Sequence, residues 1–262
     1  MKKISLLAVA SIAACHSALA TVYFSDNFDS YANGNLVGQG PWLQTGSVAT
    51  TPVQANNGAV AVGNTGQDVY APLISPTVIN DGASLYIGLD LTVSAAQSAG
   101  DYFLHWTPTV GNSSVFQERL FAKSSGAGYV LGYTTTAGTA VYGSTVLTLG
   151  TDYRVVLNYT GVAGPANDTL AIYVNPSDTT TEANNTAYLS GGFVGTGSET
   201  NAVAGINLRQ GSAANAPTET VDNLNVATTF GEAAVFTVPE PSSIALGIAG
   251  GLAGLVIWKR RK

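Results

Sequence analysis

Cysteine, histidine and charge are all scarce in this 262-residue chain. A single Cys excludes a disulfide framework, and two His exclude a multi-histidine metal centre. Only 10% of the residues are charged, against about 25% in an average soluble domain. Thr, Ser, Gly, Asn and Tyr supply the polar surface instead. Ten Lys and Arg against 16 Asp and Glu leave a net charge of −6. Nucleic-acid binding needs a basic stripe, which this balance excludes. Amphipathic helical periodicity is absent, and no repeat recurs at a solenoid period. There is no Gly-x-Ser-x-Gly, and no phosphate-binding or dinucleotide glycine pattern in strand–helix context.

What charge there is stands unevenly. Residues 1–20 carry Lys2 and Lys3, an apolar run from Ile4 to Ala14, and then Ala18-Leu19-Ala20. This layout predicts a secretory signal peptide cleaved between Ala20 and Thr21. Ile12-Ala13-Ala14-Cys15 loosely resembles the lipobox of bacterial lipoproteins, although Leu usually occupies the third position before the Cys. Cleavage after Ala20 leaves a mature chain without cysteine, which must be stable without disulfides. At the other end, Ile244–Trp258 is uncharged and Lys259-Arg260-Arg261-Lys262 closes the chain. A short transmembrane helix over 242–258 is predicted, with its basic end in the cytoplasm and the body outside.

Pro239-Glu240-Pro241, a short Gly/Ala-rich apolar helix and a basic terminus, in that order, closely resemble the PEP-CTERM sorting signal. The resemblance implies an exosortase as processing partner, a membrane transpeptidase of bacteria that make extracellular polysaccharide. It also implies that Pro239, Glu240 and Pro241 are the recognition residues. The chain then divides into signal peptide (1–20), body (21–238) and sorting signal (239–262). The membrane is met only through the C-terminal helix, before processing.

The body reads as one all-β domain. Its clearest strand is Ser84–Val93, where Leu85, Ile87, Leu89, Leu91 and Val93 face one way. Tyr153–Thr160 and Thr169–Val174 pair around a turn at 161–168. Further strands are expected at 22–28, 59–63, 69–74, 102–106, 115–122, 129–134, 146–149, 205–209 and 220–227, and a long loop at 184–200. About a dozen short strands joined by turns predict a two-sheet antiparallel sandwich. Ser25–Leu36 near the start, Gly150–Leu157 in the middle and Val221–Phe230 near the end together resemble the concanavalin/laminin-G-like jelly roll. That resemblance implies that the first and last strands pair side by side. In that family many members bind glycans and some hydrolyse them.

Between residues 21 and 238 there are four cations, Arg119, Lys123, Arg154 and Arg209, against fifteen acids. By alternation, Asp90, His105, Arg154 and Asn158 stand opposite the apolar faces of their strands. On one concave sheet Tyr86 joins them, a set suited to sugar hydroxyls through forked hydrogen bonds and ring stacking. The plainer expectation is an ion pair, such as Arg154 or Arg119 with Asp90. Hydrolysis of a glycoside needs two flanking carboxylates, and no strand carries an alternating acidic triplet, so the body is expected not to be an enzyme. The jelly-roll resemblance further implies a structural calcium ion on Asp222, with Asp26 or Asp29 nearby. The alternative is that Asp222 binds backbone amides. No other cofactor is required. The sequence thus predicts an exported surface or matrix protein associated with extracellular polysaccharide. A lectin-like glycan-binding module and a polysaccharide hydrolase or lyase are the alternatives.

Overall fold

The computed structural model describes residues 21–46, 51–111 and 114–236. Signal residue Ala20, the sorting residues Pro239, Glu240 and Pro241 and the expected membrane helix lie outside them. Sixteen strands form among the described residues: β1 (Val22–Asp26), β2 (Gly34–Asn35), β3 (Leu43–Thr45), β4 (Gln54–Asn56), β5 (Ala59–Val62), β6 (Asp68–Val78), β7 (Ser84–Ala95) and β8 (Asp101–Thr107) come first. They are followed by β9 (Gln117–Ser125), β10 (Gly128–Thr134), β11 (Val141–Tyr142), β12 (Asp152–Thr160), β13 (Thr169–Val174), β14 (Leu189–Gly191), β15 (Ala202–Leu208) and β16 (Thr218–Ala227). One short helix, α1 (Phe230–Ala234), closes the described chain.

The strands build two antiparallel sheets. Nine strands run in the order β14-β13-β12-β7-β16-β5-β4-β2, with β1 on the free half of β16, and seven in the order β11-β10-β9-β8-β15-β6-β3. This is the sandwich of jelly-roll type that the sequence predicts, and β1 does lie beside β16, with Asp26 opposite Leu224. Between the sheets lies the main core. Leu85, Ile87, Leu89, Leu91 and Val93 of β7 all point into it, opposite Phe103, Leu104 and Trp106 of β8 on the other sheet. Alternating apolar residues bury one face of each strand, which fixes register because a one-residue slip would expose the whole set. Phe24, Phe28 and Trp42 pack ring against ring at the N-terminal corner.

A second, smaller core sits on the far side of the nine-stranded sheet. There α1 lays Phe230, Ala233 and Ala234 over Tyr86, Val156 and Tyr173. Thr229 caps the helix: its hydroxyl accepts the Glu232 amide hydrogen at 3.4 Å and donates to the Glu232 carboxylate at 3.0 Å. The Thr229 hydroxyl thus satisfies one of the free amides at the helix start, and the Glu232 carboxylate holds that hydroxyl in place. At Gly88, a Cβ would run into the Ala233 carbonyl and the Arg154 guanidinium, so the glycine is what lets the helix close on the sheet.

The expected strand at 146–149 reduces to a single bridge between Leu147 and Tyr129. Within the expected loop at 184–200 stands the short β14.

Candidate functional site

Strand register brings four of the five predicted glycan residues together on the nine-stranded sheet. Arg154 faces Asp90, and Asn158 faces Tyr86. Their side chains serve the fold. Arg154 pairs with Asp90 at 3.1 Å and donates to the Asn223 carbonyl, to Asn225 Oδ1 and twice to the Ala233 carbonyl. Asn223, at φ 47, sits in a bulge of β16 against β7, and its side-chain Nδ2 donates to the second Asp90 oxygen at 2.7 Å. The plainer of the two expectations for Arg154 therefore describes it: an ion pair beneath a roof formed by α1. Four residues further along β12, Asn158 donates to Glu182 at 2.6 Å, and the Tyr86 and Tyr173 hydroxyls donate to the same carboxylate at 2.7 and 2.8 Å. Burial first, then Glu182, pushes both tyrosines well above their usual range. A groove of about 310 Å³ opens beside Asn158, Glu182 and Ser190. The sequence reading missed Glu182, which opens a single 3-10 turn, Glu182–Asn184, too short to show a period.

His105 is not part of this group. It belongs to β8, on the other sheet, and is 2% exposed. Alternation reports which way a side chain points from its own strand, and the two sheets have two outward faces. Burial drives the imidazole down to about 3, so the ring is neutral. It packs edge-on against Phe116 and Tyr102, with centroids 4.8 and 5.6 Å away.

Those rings begin a continuous aromatic ladder across β8, β9 and β11. Tyr102 meets Phe121 at 5.4 Å, and Phe121 meets Tyr142 at 6.3 Å. Three of the body's four cations lie upon it. Arg119 stands 4.9 Å above Tyr102 and 5.6 Å above Phe116, Arg209 is 4.1 Å above Tyr102, and Lys123 is 4.4 Å above Tyr142. Such contacts hold a cation in place without neutralising it. Arg209 also pairs with Asp101 at 3.0 Å. The described residues contain two ion pairs, and neither Arg119 nor Lys123 takes part in either. A cavity of about 220 Å³ adjoins Arg119, lined also by Phe116, Gln117, Thr136 and Ser198.

Of the residues expected to hold calcium, Asp26 is engaged elsewhere in the fold. Asp26 Oδ2 accepts from the Tyr31 hydroxyl at 2.5 Å and from Trp42 Nε1 at 2.8 Å, and Oδ1 accepts from the Phe28 amide. Its carboxylate is thus occupied in folding the N-terminal corner. Asp222 accepts from the Asn223 amide at 2.6 Å, and burial raises its pKa, helped by Asp90, Asp29 and Asp152. It opens instead onto a polar cavity of about 290 Å³ shared with Asp90 and Asp152. Among the described residues no group of three or more His, Cys, Asp or Glu is placed to hold a metal.

Thr21, the residue expected to follow signal cleavage, donates its backbone amide to the Thr228 hydroxyl at 3.0 Å. Its carbonyl accepts from the Thr228 amide. Thr21 is therefore held next to the base of α1.

Comparison with known proteins agrees with both levels of this description. The family model of the PEP-CTERM protein-sorting motif matches residues 237–262. No curated protein matches the chain. Among solved structures, the globular domain of T. cruzi calreticulin is similar with a TM-score of 0.51 at 8% identity, over 82% of this chain and 91% of that one. Domain 4 of AbnA, an extracellular arabinanase from Geobacillus stearothermophilus solved with arabinotriose, gives 0.46 at 12% identity, over 82% and 99%. The CBM2 module of the evolved Dit of Lactobacillus casei BL23 phage J-1 gives 0.48 at 10%, over 80% and 96%. At such identities the likeness is one of fold. The chain carries a PEP-CTERM sorting motif behind a jelly-roll sandwich, and the motif marks it as an exported, envelope-directed protein sorted by an exosortase.

Proposed function

We propose that the body is a non-enzymatic surface or matrix protein that associates with extracellular polysaccharide after the sorting signal has been removed. The observation that carries this reading is the concentration of cations on aromatic rings at one face of an otherwise acidic domain. Rings offer the apolar face of a sugar a stacking surface, and guanidinium or ammonium groups offer its oxygens forked or single hydrogen bonds. The lectin-like reading thus moves from the Asp90–Arg154 face, where Arg154 is tied to Asp90 and to α1, to the Tyr102–Arg119 face of the other sheet. Co-sedimentation tests it. The secreted protein should pellet with matrix polysaccharide purified from the same cells, and protein left entirely in the supernatant would overturn the reading.

A second reading, polysaccharide hydrolysis, draws on one observation: Asp90, Asp152 and Asp222 share an open cavity. Asp90 and Asp222 are direct cross-strand neighbours, a pairing that brings β-carbons to about 5 Å. Both Asp90 oxygens already accept hydrogen bonds from Arg154 and Asn223, which leaves Asp152 and Asp222 to act. New reducing ends released from matrix polysaccharide, and lost in Asp222→Asn, would support hydrolysis over simple association.

A further inference from the structure

Strand β9 begins with a defect. Between Leu104–Leu120 and Trp106–Gln117 it spans three residues against two on β8, the count of a β-bulge. Glu118 absorbs the extra residue at φ 44, and its amide donates to the Thr135 carbonyl at 2.9 Å. A left-handed glutamate within a strand is uncommon, and such strained positions gather at binding sites. Bulges next to sites re-aim side chains. Here Gln117 and Arg119 line one cavity, the 220 Å³ space beside the aromatic ladder, while Glu118 is buried at 1% exposure.

Two features of that cavity point to a ligand of mixed chemistry. Arg119 is anchored by Nε, which donates to the Phe116 carbonyl at 3.3 Å, and by the rings of Tyr102 and Phe116. Its two terminal nitrogens form a fork with no carboxylate in ion-pair range among the described residues. Gln117 lines the same cavity, but its Oε1 is sealed from the surface and has no hydrogen-bond partner among the described residues. A fork that accepts a planar carboxylate beside the Phe116 ring at the wall describes a sugar that bears an acid.

We propose that this cavity is a subsite for a uronic-acid residue of an acidic polysaccharide. The Arg119 fork takes the sugar carboxylate in two parallel hydrogen bonds, and the sugar ring lies against Phe116. Arg119, Phe121 and Lys123 alternate outward along β9, which sets the two cations about 13 Å apart at ~3.3 Å per residue. A chain with carboxylates along its length therefore meets the second cation at a further sugar. The acidity of the rest of the body works against anions elsewhere, so binding is confined to this face. The proposal rests on the polysaccharide-associated reading above and names the ligand class for it.

Calorimetric titration of the processed protein with oligogalacturonate, and with the same oligomer fully methyl-esterified, tests the proposal. The acid form is expected to bind and to weaken with added salt, and the ester to bind at least about tenfold more weakly. Arg119→Gln should lose about tenfold or more of the acid affinity while its thermal midpoint is followed in parallel. Ala137→Trp, which places bulk at the cavity wall and leaves Arg119 intact, should lose it as well and covers the case in which Arg119→Gln fails to fold. Equal binding of acid and ester, or unchanged affinity in a folded Arg119→Gln, would overturn the subsite. No binding of either oligomer by a protein that still pellets with native matrix would overturn the subsite and spare the broader reading. Failure of both would remove both.

Discussion

The guanidinium of Arg154 grips the carbonyl of Ala233, with Nε at 3.1 Å and Nη2 at 2.5 Å. Through this contact the last helix of the body is bound to the middle of the nine-stranded sheet. Asn225 adds a second tie to the Glu232 carbonyl, and Phe230 fits edge-on against Tyr86 and Tyr173 at 6.0 and 5.3 Å. The sorting motif begins at residue 237, directly after this docked segment. The segment that docks α1 therefore lies entirely before the matched motif.

Arg154→Ala should destabilise the body by about 2 kcal/mol, less than for a fully buried ion pair because Arg154 and Asp90 are only partly buried. Chemical denaturation reads the loss. Hydrogen exchange should show it concentrated in amides of Phe230–Ala234. An affinity change without a stability change would mean that Arg154 serves a ligand instead of the helix.

Gly88→Ala separates the helix from the sandwich. The added methyl meets the Ala233 carbonyl, Arg154 and Asn225, all part of the α1 dock, while β7 itself tolerates alanine. Limited proteolysis should cut at residues 228–236 in the variant and spare them in the parent. Equal protection in both would show that α1 closes by another route.

Two buried glutamates give stability a pH dependence of known sign. Burial raises Glu219 well above its ordinary 4.5, and neither of its carboxylate oxygens has a partner. Burial, then Asp168 and Glu199, raises Glu118. In both, the folded state holds its proton where the unfolded chain has released it. Their contribution is therefore fully present below the unfolded value and lost as pH rises through the folded one. Unfolding midpoints should fall from about pH 5 to about pH 8, and Glu219→Gln should flatten that slope and raise stability at neutral pH. A steeper slope in the variant would contradict the assignment.

Calcium should leave the unfolding midpoint unchanged, because the Asp26 oxygens already accept three hydrogen bonds within the N-terminal corner. A midpoint that rises with calcium, and no longer does so in Asp222→Asn, would transfer the ion to the cavity of Asp90, Asp152 and Asp222.

Local pattern carried the sheets. The alternation of Leu85 through Val93 and the hairpin of 153–160 with 169–174 have their registers in the structure because burial of one face specifies them. The Arg154–Asp90 pair was legible for the same reason. Which outward face a residue shares with another depends on the sheet to which its strand is added, and that is a non-local choice. His105 and Arg154 both point away from the core, yet from opposite sheets. The two-residue strands β2 and β11 are too short to show a period. At five residues, α1 shows no 3.6-residue periodicity, although Thr229-x-x-Glu232 was a usable start signal. Glu118 and Gln117 gave no signal at all, since their environment comes from a bulge and from loops distant in sequence.

Mass spectrometry of the protein recovered outside the cell tests the export and sorting account most directly. The account predicts an N-terminus at Thr21, peptides through Phe236 and none beyond Pro241. Intact peptides covering Trp258–Lys262 in that fraction would contradict it.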